Sequence, residues 1–301
     1  MSRPNPSANP DLHAEITAQI IQCLETGARP WMRPWNSGPA VRPIRFDSTP
    51  YHGVNVLLLW LQAQHRGYSH PVWMTFRQAL VLGGAVRRGE TGTRIVFAKP
   101  RDRKTEPTNS IDPESSEPDT GPRRILRCYS VFNLDQIDGL DDRYTGLGDT
   151  AQRSWASVSG SRIAVFATAA GARIQHGGDA ACFEPGRDLI RMPPLNAFDD
   201  PQDHDAVLAH ELVHWTGHAT RLGRDLDGRF GSPEYAREEL IAELGAAFLC
   251  ADLAITDRPR DDHAAYIAAW LGALKDDKRL IFKAASQAEK AVAFLHGRRS
   301  P

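Results

Sequence analysis

Apolar residues recur at helical spacing over residues 11–26, where Ile16, Ile20, Ile21 and Leu24 mark one face and Gly27 supplies a stop. The same period predicts helices from about Val54 to Arg66, from Trp73 to Gly84, and from Trp155 to a turn at Gly171. Ile95–Ala98 and Leu126–Phe132 predict the two strands of a hairpin. Residues 100–122 lie between them, rich in Pro, Ser, Glu and Asp with almost no apolar content, and predict a disordered insertion. Short strand-like runs follow at 172–176, 180–184 and 188–192, ending at Pro193-Pro194. The helical period then returns before Thr216, over Tyr235–Phe248, and in a pair from His263 to His296 marked by Ile267, Trp270, Leu274, Val292 and Leu295. Residues 136–152, rich in Asp and Gly, give the domain boundary. The expected class is therefore α+β, with one domain over residues 1–140 and a second over 150–301.

Composition sharpens this division. The 301 residues are 41% hydrophobic, enough for ordinary cores in two domains. The net charge of -1 conceals an asymmetry, because residues 29–99 carry ten Lys/Arg against only Asp47 and Glu90. A basic front half suggests a polyanionic partner for that half alone. Cys23, Cys128, Cys182 and Cys250 form no C-x-x-C pair and read as structural thiols of a reducing compartment. No run approaches the ~18 apolar residues of a membrane span, and the first residues lack a signal-type apolar stretch, so a cytoplasmic protein with no membrane partner is expected.

Residues 29–99 also hold nine aromatics, two of them in Arg29-Pro30-Trp31-Met32-Arg33-Pro34-Trp35. Rings beside cations suit single-stranded nucleic acid, since charge follows the phosphates and rings stack on bases whatever their sequence. Arg29, Trp31, Arg33, Trp35, Arg87, Arg88 and Arg94 are the candidate contacts. Trp60, at helical spacing with Val56 and Leu57, reads instead as core.

The sharpest motif lies in the back half, in Ala209-His210-Glu211-Leu212-Val213-His214. Asp200, Pro201 and Asp203 look like a helix start, and Ala206, Val207, Leu208, Leu212 and Val213 are apolar at helical spacing. On that helix His210 and His214 share a face, so both imidazoles can reach one ion. Glu211 lies about 100° round from His210, where it can take a proton from a metal-bound water. This is the arrangement of a zinc hydrolase, and it needs a third ligand. His218 is separated from the motif by the expected stop Gly217, whereas Tyr235–Phe248 places Glu239 and Glu243 on one helical face beside small residues that allow close packing. An amphipathic helix with histidines paired to carboxylates is the structural alternative.

The arrangement resembles the glutamate-type zincins, in which a second helix gives one Glu to the metal and a carboxylate one turn later orients a ligand histidine. By that resemblance Glu239 is the ligand and Glu243 its support; the residues alone leave the order open. Zinc fits such a donor set best, and manganese is also suited. The resemblance further implies an edge strand that holds an extended peptide by backbone pairing, with Leu189–Met192 as the candidate.

Over nearly its whole length the chain resembles the ArdC family of plasmid antirestriction proteins. The resemblance rests on Pro30-Trp31 with Pro34-Trp35, Tyr51-His52-Gly53-Val54-Asn55 and Trp73-Met74-Thr75-Phe76-Arg77-Gln78 in front. Behind, it rests on His210–His218, Arg221-Leu222 and Glu238-Glu239-Leu240-Ile241-Ala242-Glu243-Leu244. It implies an N-terminal domain that binds single-stranded DNA, a zincin-like metallopeptidase domain, and protection of incoming plasmid DNA from host restriction. The peptide or protein that such a site would cut is not named by the sequence. A binding protein whose metal is purely structural is the second reading. A metal-dependent nuclease is the weakest, because a second ion would need further carboxylates, and none clusters near His210 in the sequence.

Overall fold

In the computed structural model, which describes residues 11–31, 41–100, 124–147, 161–229, 231–255 and 263–297, the Asp11 carboxylate opens α1 (Leu12–Glu25) by accepting from the amides of His13 and Ala14. Ile16, Ile20 and Leu24 form its buried face, as the period predicts. Next come β1 (Ile44–Arg45) and α2 (Val54–Arg66), which starts at Gly53, whose φ of 60° is costly for any residue with a Cβ. The Tyr51–Asn55 motif proves structural. The Asn55 side chain donates to the Val96 carbonyl at 2.8 Å and accepts from the Val96 amide at 2.9 Å, fixing α2 to the sheet.

The expected helix over 73–84 divides. Val72–Met74 forms β2, every residue of it buried, and only Phe76–Val81 is helical, as α3. Helical spacing misled here because a β-branched and aromatic run at the centre of a sheet also buries both faces. Thr75 sets the break through a reciprocal capping box with Gln78. After β3 (Ala85–Val86), the long hairpin of β4 (Thr93–Pro100) and β5 (Arg124–Asn133) pairs antiparallel as expected, with Ile95 opposite Tyr129. The front sheet has the order β1-β2-β5-β4, and β3 pairs separately with β6 (Ile137–Asp138). The predicted insertion at 100–122 lies, beyond Pro100, outside the described residues.

In the back half the helix predicted from Trp155 begins at Arg162, capped by Ser161, as α4 (Arg162–Ala170); residues 155–160 lie outside the described residues. Three short strands follow, β7 (Ile174–His176), β8 (Cys182–Glu184) and β9 (Leu189–Met192). Their order is β7-β9-β8, so Leu189–Met192 is the middle strand and not the edge. Its near-complete burial fits a place between two neighbours; β8 is an outer strand. Four helices complete the chain: α5 (Pro201–Thr216), α6 (Pro233–Leu253), α7 (His263–Asp276) and α8 (Leu280–Gly297). No described helix is long and apolar enough to cross a membrane, and all four cysteines are free thiols.

The two halves do not keep separate interiors. One hydrophobic cluster takes Ile20, Trp31, Leu57 and Trp73 from the front and Phe166, Ile190, Leu212, Phe248 and Trp270 from the back. Trp31 packs edge-on against Trp270 at 5.8 Å between ring centres. The buried Arg42 guanidinium stands 4.8 Å over Phe248 and donates to Glu289 at 2.9 Å. Burying large aromatic surface across the seam couples the stabilities of the halves.

Candidate metal centre

Two helices supply the centre. Asp200 caps α5 by accepting from the Gln202 amide, with Pro201 in the first position; Ser232 and Pro233 do the same for α6. A Cβ on Gly245 would stand 2.8 Å from a Val213 methyl, so glycine there is what lets the helices approach closely. That approach carries His210, Glu211 and His214 on α5 towards Glu238, Glu239 and Glu243 on α6. Five of the six are at most 8% exposed, and His214 is nearly as buried.

His210 Nε2 and His214 Nε2 stand 3.1 Å apart, and each lies 3.5 Å from an oxygen of Glu239. Donors about 2.0–2.1 Å from one tetrahedral zinc are separated by about 3.3 Å, which this triangle matches. The outer ring nitrogens are taken as well: His214 Nδ1 meets Glu238 Oε1 at 3.0 Å, and His210 Nδ1 lies 3.6 Å from Glu243 Oε1. The contacts therefore group Glu239 with the two imidazoles and leave Glu243 behind His210, the order that the family resemblance implies. Carboxylates behind the rings hold both Nε2 lone pairs on the central point.

Sequence reasoning missed Glu238 and its partner. Arg224 donates to both Glu238 oxygens, at 3.0 and 2.8 Å, and to the Thr216 hydroxyl and Val213 carbonyl at the end of α5. The available signal was Glu238-Glu239 itself, since adjacent glutamates on a buried helix face different partners. Contrary to the sequence expectation, carboxylates do cluster near His210; Glu243 and Glu238 nevertheless face ring nitrogens, and the described residues group donors for one ion. His218 is no ligand, its Nδ1 meeting the Thr220 hydroxyl at 2.8 Å.

The charge balance also favours a cation. Glu211, Glu238, Glu239 and Glu243 are four buried carboxylates against the single guanidinium of Arg224, an excess that buried surroundings tolerate only with added positive charge. Burial works against a charged His214, yet the hydrogen bonds to Glu238 and Glu239 push it up to about 10. The Glu239 carboxyl is held well below its usual range, its burial outweighed by the two imidazoles. The residues fit one divalent ion.

Above the triangle lies a cleft of about 260 Å³, lined by Ala181, Cys182 and Phe183 beside β8 and by Glu211, Tyr235 and Tyr266. The tyrosine hydroxyls are 3.3 Å apart. Burial, then the bond to Tyr266 and the nearby Glu239 charge, drive the Tyr235 phenol far upward, so it remains a hydrogen-bond donor at neutral pH. Arg221 braces β8 and β9 against α5 by pairing with Asp188 at 3.0 and 2.5 Å and donating to the Trp215 carbonyl.

The nucleic-acid candidates fare differently. Trp31 is only 1% exposed and Arg29 only 8%, so neither can meet a base or phosphate while the core is intact. Arg33 and Trp35 lie outside the described residues. Arg87 is exposed but engages Asp138, Glu90 and the Asp135 carbonyl, and Arg94 meets Glu15 at 2.6 Å. Arg88 is exposed on the turn after β3.

Known proteins bear on both halves. Residues 10–132 match the N-terminal domain of the anti-restriction factor ArdC, and residues 161–287 match a zincin-like metallopeptidase family. The chain is 39% identical over 298 residues to the uncharacterized protein y4eC of Sinorhizobium fredii, covering 94% of it. It is 35% identical over 295 residues to the DNA primase TraC of Escherichia coli, but spans only 27% of that protein. The metal-free crystal structure of the antirestriction protein ArdC from plasmid R388 superposes with a TM-score of 0.79 at 39% identity, covering 96% of this chain and 98% of that one. The Mn(II)-bound structure of the same protein gives 0.76 at 38% identity, with the same coverage. A similarity that runs through both halves, the metal helices included, places this chain in the ArdC antirestriction family, with a zincin-like domain at its C-terminal side.

Proposed function

We propose that this protein guards incoming plasmid DNA against restriction, binding single strands through its front half and hydrolysing a peptide bond at the His210–His214–Glu239 centre. The observation that carries the hydrolytic reading is a buried Glu211 beside a three-donor triangle, at the floor of a cleft edged by β8. A bound divalent ion would polarise the scissile carbonyl and acidify the attacking water. The chain's own groups do the rest. Glu211 accepts the water's proton and returns it to the leaving amine. Tyr235, kept protonated, donates towards the oxygen on which negative charge develops. Residues at β8 pair with an extended substrate as an added strand. Zinc suits the donors, and the manganese in the R388 relative makes that ion an alternative. The basic front half, with ten Lys/Arg over residues 29–99, supports the strand-binding part of the reading, which we place in the cytoplasm.

Glu211→Gln tests this. It keeps the side-chain shape but cannot take the proton, so metal content, unfolding midpoint and strand affinity should match the wild type while peptide hydrolysis is lost. His214→Ala should lose the ion as well. Hydrolysis by Glu211→Gln at the wild-type rate would overturn the mechanism; bound metal without hydrolysis in either protein would favour a purely structural ion.

A further inference from the structure

The core captures Trp31, Trp60 and Trp73 of the front half, but not every ring. Phe97 and Tyr129, on neighbouring strands of the β4–β5 hairpin, remain 52% and 49% exposed. Their centres are 6.4 Å apart with the planes at 73°. In the register Phe97 faces Arg127 and Ile95 faces Tyr129, so both rings and the exposed Arg127 share one face of the ribbon. Neither ring belongs to any hydrophobic cluster. The opposite face is anchored, with Val96 buried, Leu126 and Cys128 packed on the core, and Asn55 gripping the Val96 backbone in both directions. Two rings are thus held outward on a fixed support that the fold does not need them to complete. The front half around this hairpin is basic, residues 29–99 carrying ten Lys/Arg against only Asp47 and Glu90.

We propose that the Phe97–Tyr129 face is the base-stacking platform for single-stranded nucleic acid. This rests on the reading that the front half binds single strands, and moves the stacking site from Trp31 to the hairpin. Unpaired bases expose π-faces that two outward rings can meet, and Arg127 is placed to reach the adjoining phosphate. Duplex bases are already stacked on each other, so the platform discriminates by strandedness and not by sequence. Arg127 and the other cations of the front half supply the salt-dependent part of the affinity.

The test uses the full chain and its Phe97→Ala, Tyr129→Ala, double and Arg127→Ala variants. Binding to labelled oligo-thymidylate and to a duplex of equal length is followed by anisotropy across a salt series, with unfolding midpoint and peptide hydrolysis as controls. Each ring deletion should weaken single-strand binding about ten-fold, and the double variant more, with duplex binding, midpoint and hydrolysis unchanged. Arg127→Ala should weaken binding a few-fold and lower the salt slope by about one. Phe97→Trp should keep the wild-type affinity. A wild type that binds strands, with a double variant that binds equally well, overturns the platform while leaving the front-half reading intact. A wild type that binds no strand overturns both. A double variant that abolishes self-association but not strand affinity would make this face a contact between copies.

Discussion

The back half buries its chemistry and the front half exposes it. Around the metal centre, His210, His214, Glu238, Glu239 and Glu243 face one another from two helices, and each of these five has a charged partner within 3.6 Å. In the front half Arg29 and Arg42 are buried, but the other described cations stay at the surface and several are matched locally, Arg94 by Glu15 and Arg87 by Glu90 and Asp138. A buried site must satisfy every charge within a few ångströms, so its geometry is strict and a single exchange propagates. A surface site for an irregular polyanion has no such demand. What it needs is outward rings and nearby positive charge, and residues far apart in sequence can supply these.

Trp31→Ala should have the largest effect in the attempt to break this contrast. With the ring fully buried against Trp270, truncation should cost about 3–5 kcal/mol of stability. Because the cluster crosses the seam, both halves should melt together at the lower temperature, and the native fraction should still bind strands. Calorimetry with two separated transitions would contradict the shared core; a pure affinity loss at unchanged stability would return Trp31 to the DNA surface.

Glu238→Gln sharpens the other side of the comparison with a smaller effect. The amide keeps the volume but removes the charge that fixes His214 Nδ1–H and pairs with Arg224. Metal affinity should fall about 10–100-fold although no ligand has changed, measured by chelator competition at fixed pH. Affinity equal to wild type would mean that Glu238 serves only the packing of α6.

How far each half could be read from sequence follows from the same contrast. The H-E-x-x-H spacing is local, so its helix gave His210, Glu211 and His214 directly, and the face shared by Glu239 and Glu243 gave the partner helix. Glu238, Arg224, Tyr235 and Tyr266 escaped because they reach the centre only through tertiary packing. In the front half, two strand-like runs on either side of a polar insertion located the β4–β5 pair, yet nothing in Arg29-Pro30-Trp31 told whether the ring would turn inward, and its partner Trp270 lies 239 positions away. Phe97 and Tyr129 were passed over for a related reason, since exposure is decided by what the opposite face of the ribbon packs on. The middle position of β9 was likewise beyond reach, strand order being a long-range property.

The smallest expected effect lies at the seam where the two regions meet. Glu289 on α8 accepts from Arg42 and from the Gly53 amide, and faces His52, all from the front half. Burial alone would raise its carboxyl, but Arg42, His52 and the Gly53 amide outweigh that and hold it below the usual 4.5. A carboxyl that is more acidic when folded binds its proton more weakly in the native state than in the unfolded chain. Its contribution is therefore complete above the unfolded value and is lost as pH falls through the folded one. Wild-type stability should decline more steeply below about pH 4.5 than that of Glu289→Gln, which has no proton to gain. At pH 7 the variant should be the less stable by about 1–3 kcal/mol, because it leaves the Arg42 charge less well matched. The two curves should converge towards pH 3 in a series of denaturant unfolding measurements. Parallel curves would show that the Arg42–Glu289 contact does not join the halves energetically, leaving the aromatic core as the link between the buried and exposed regions.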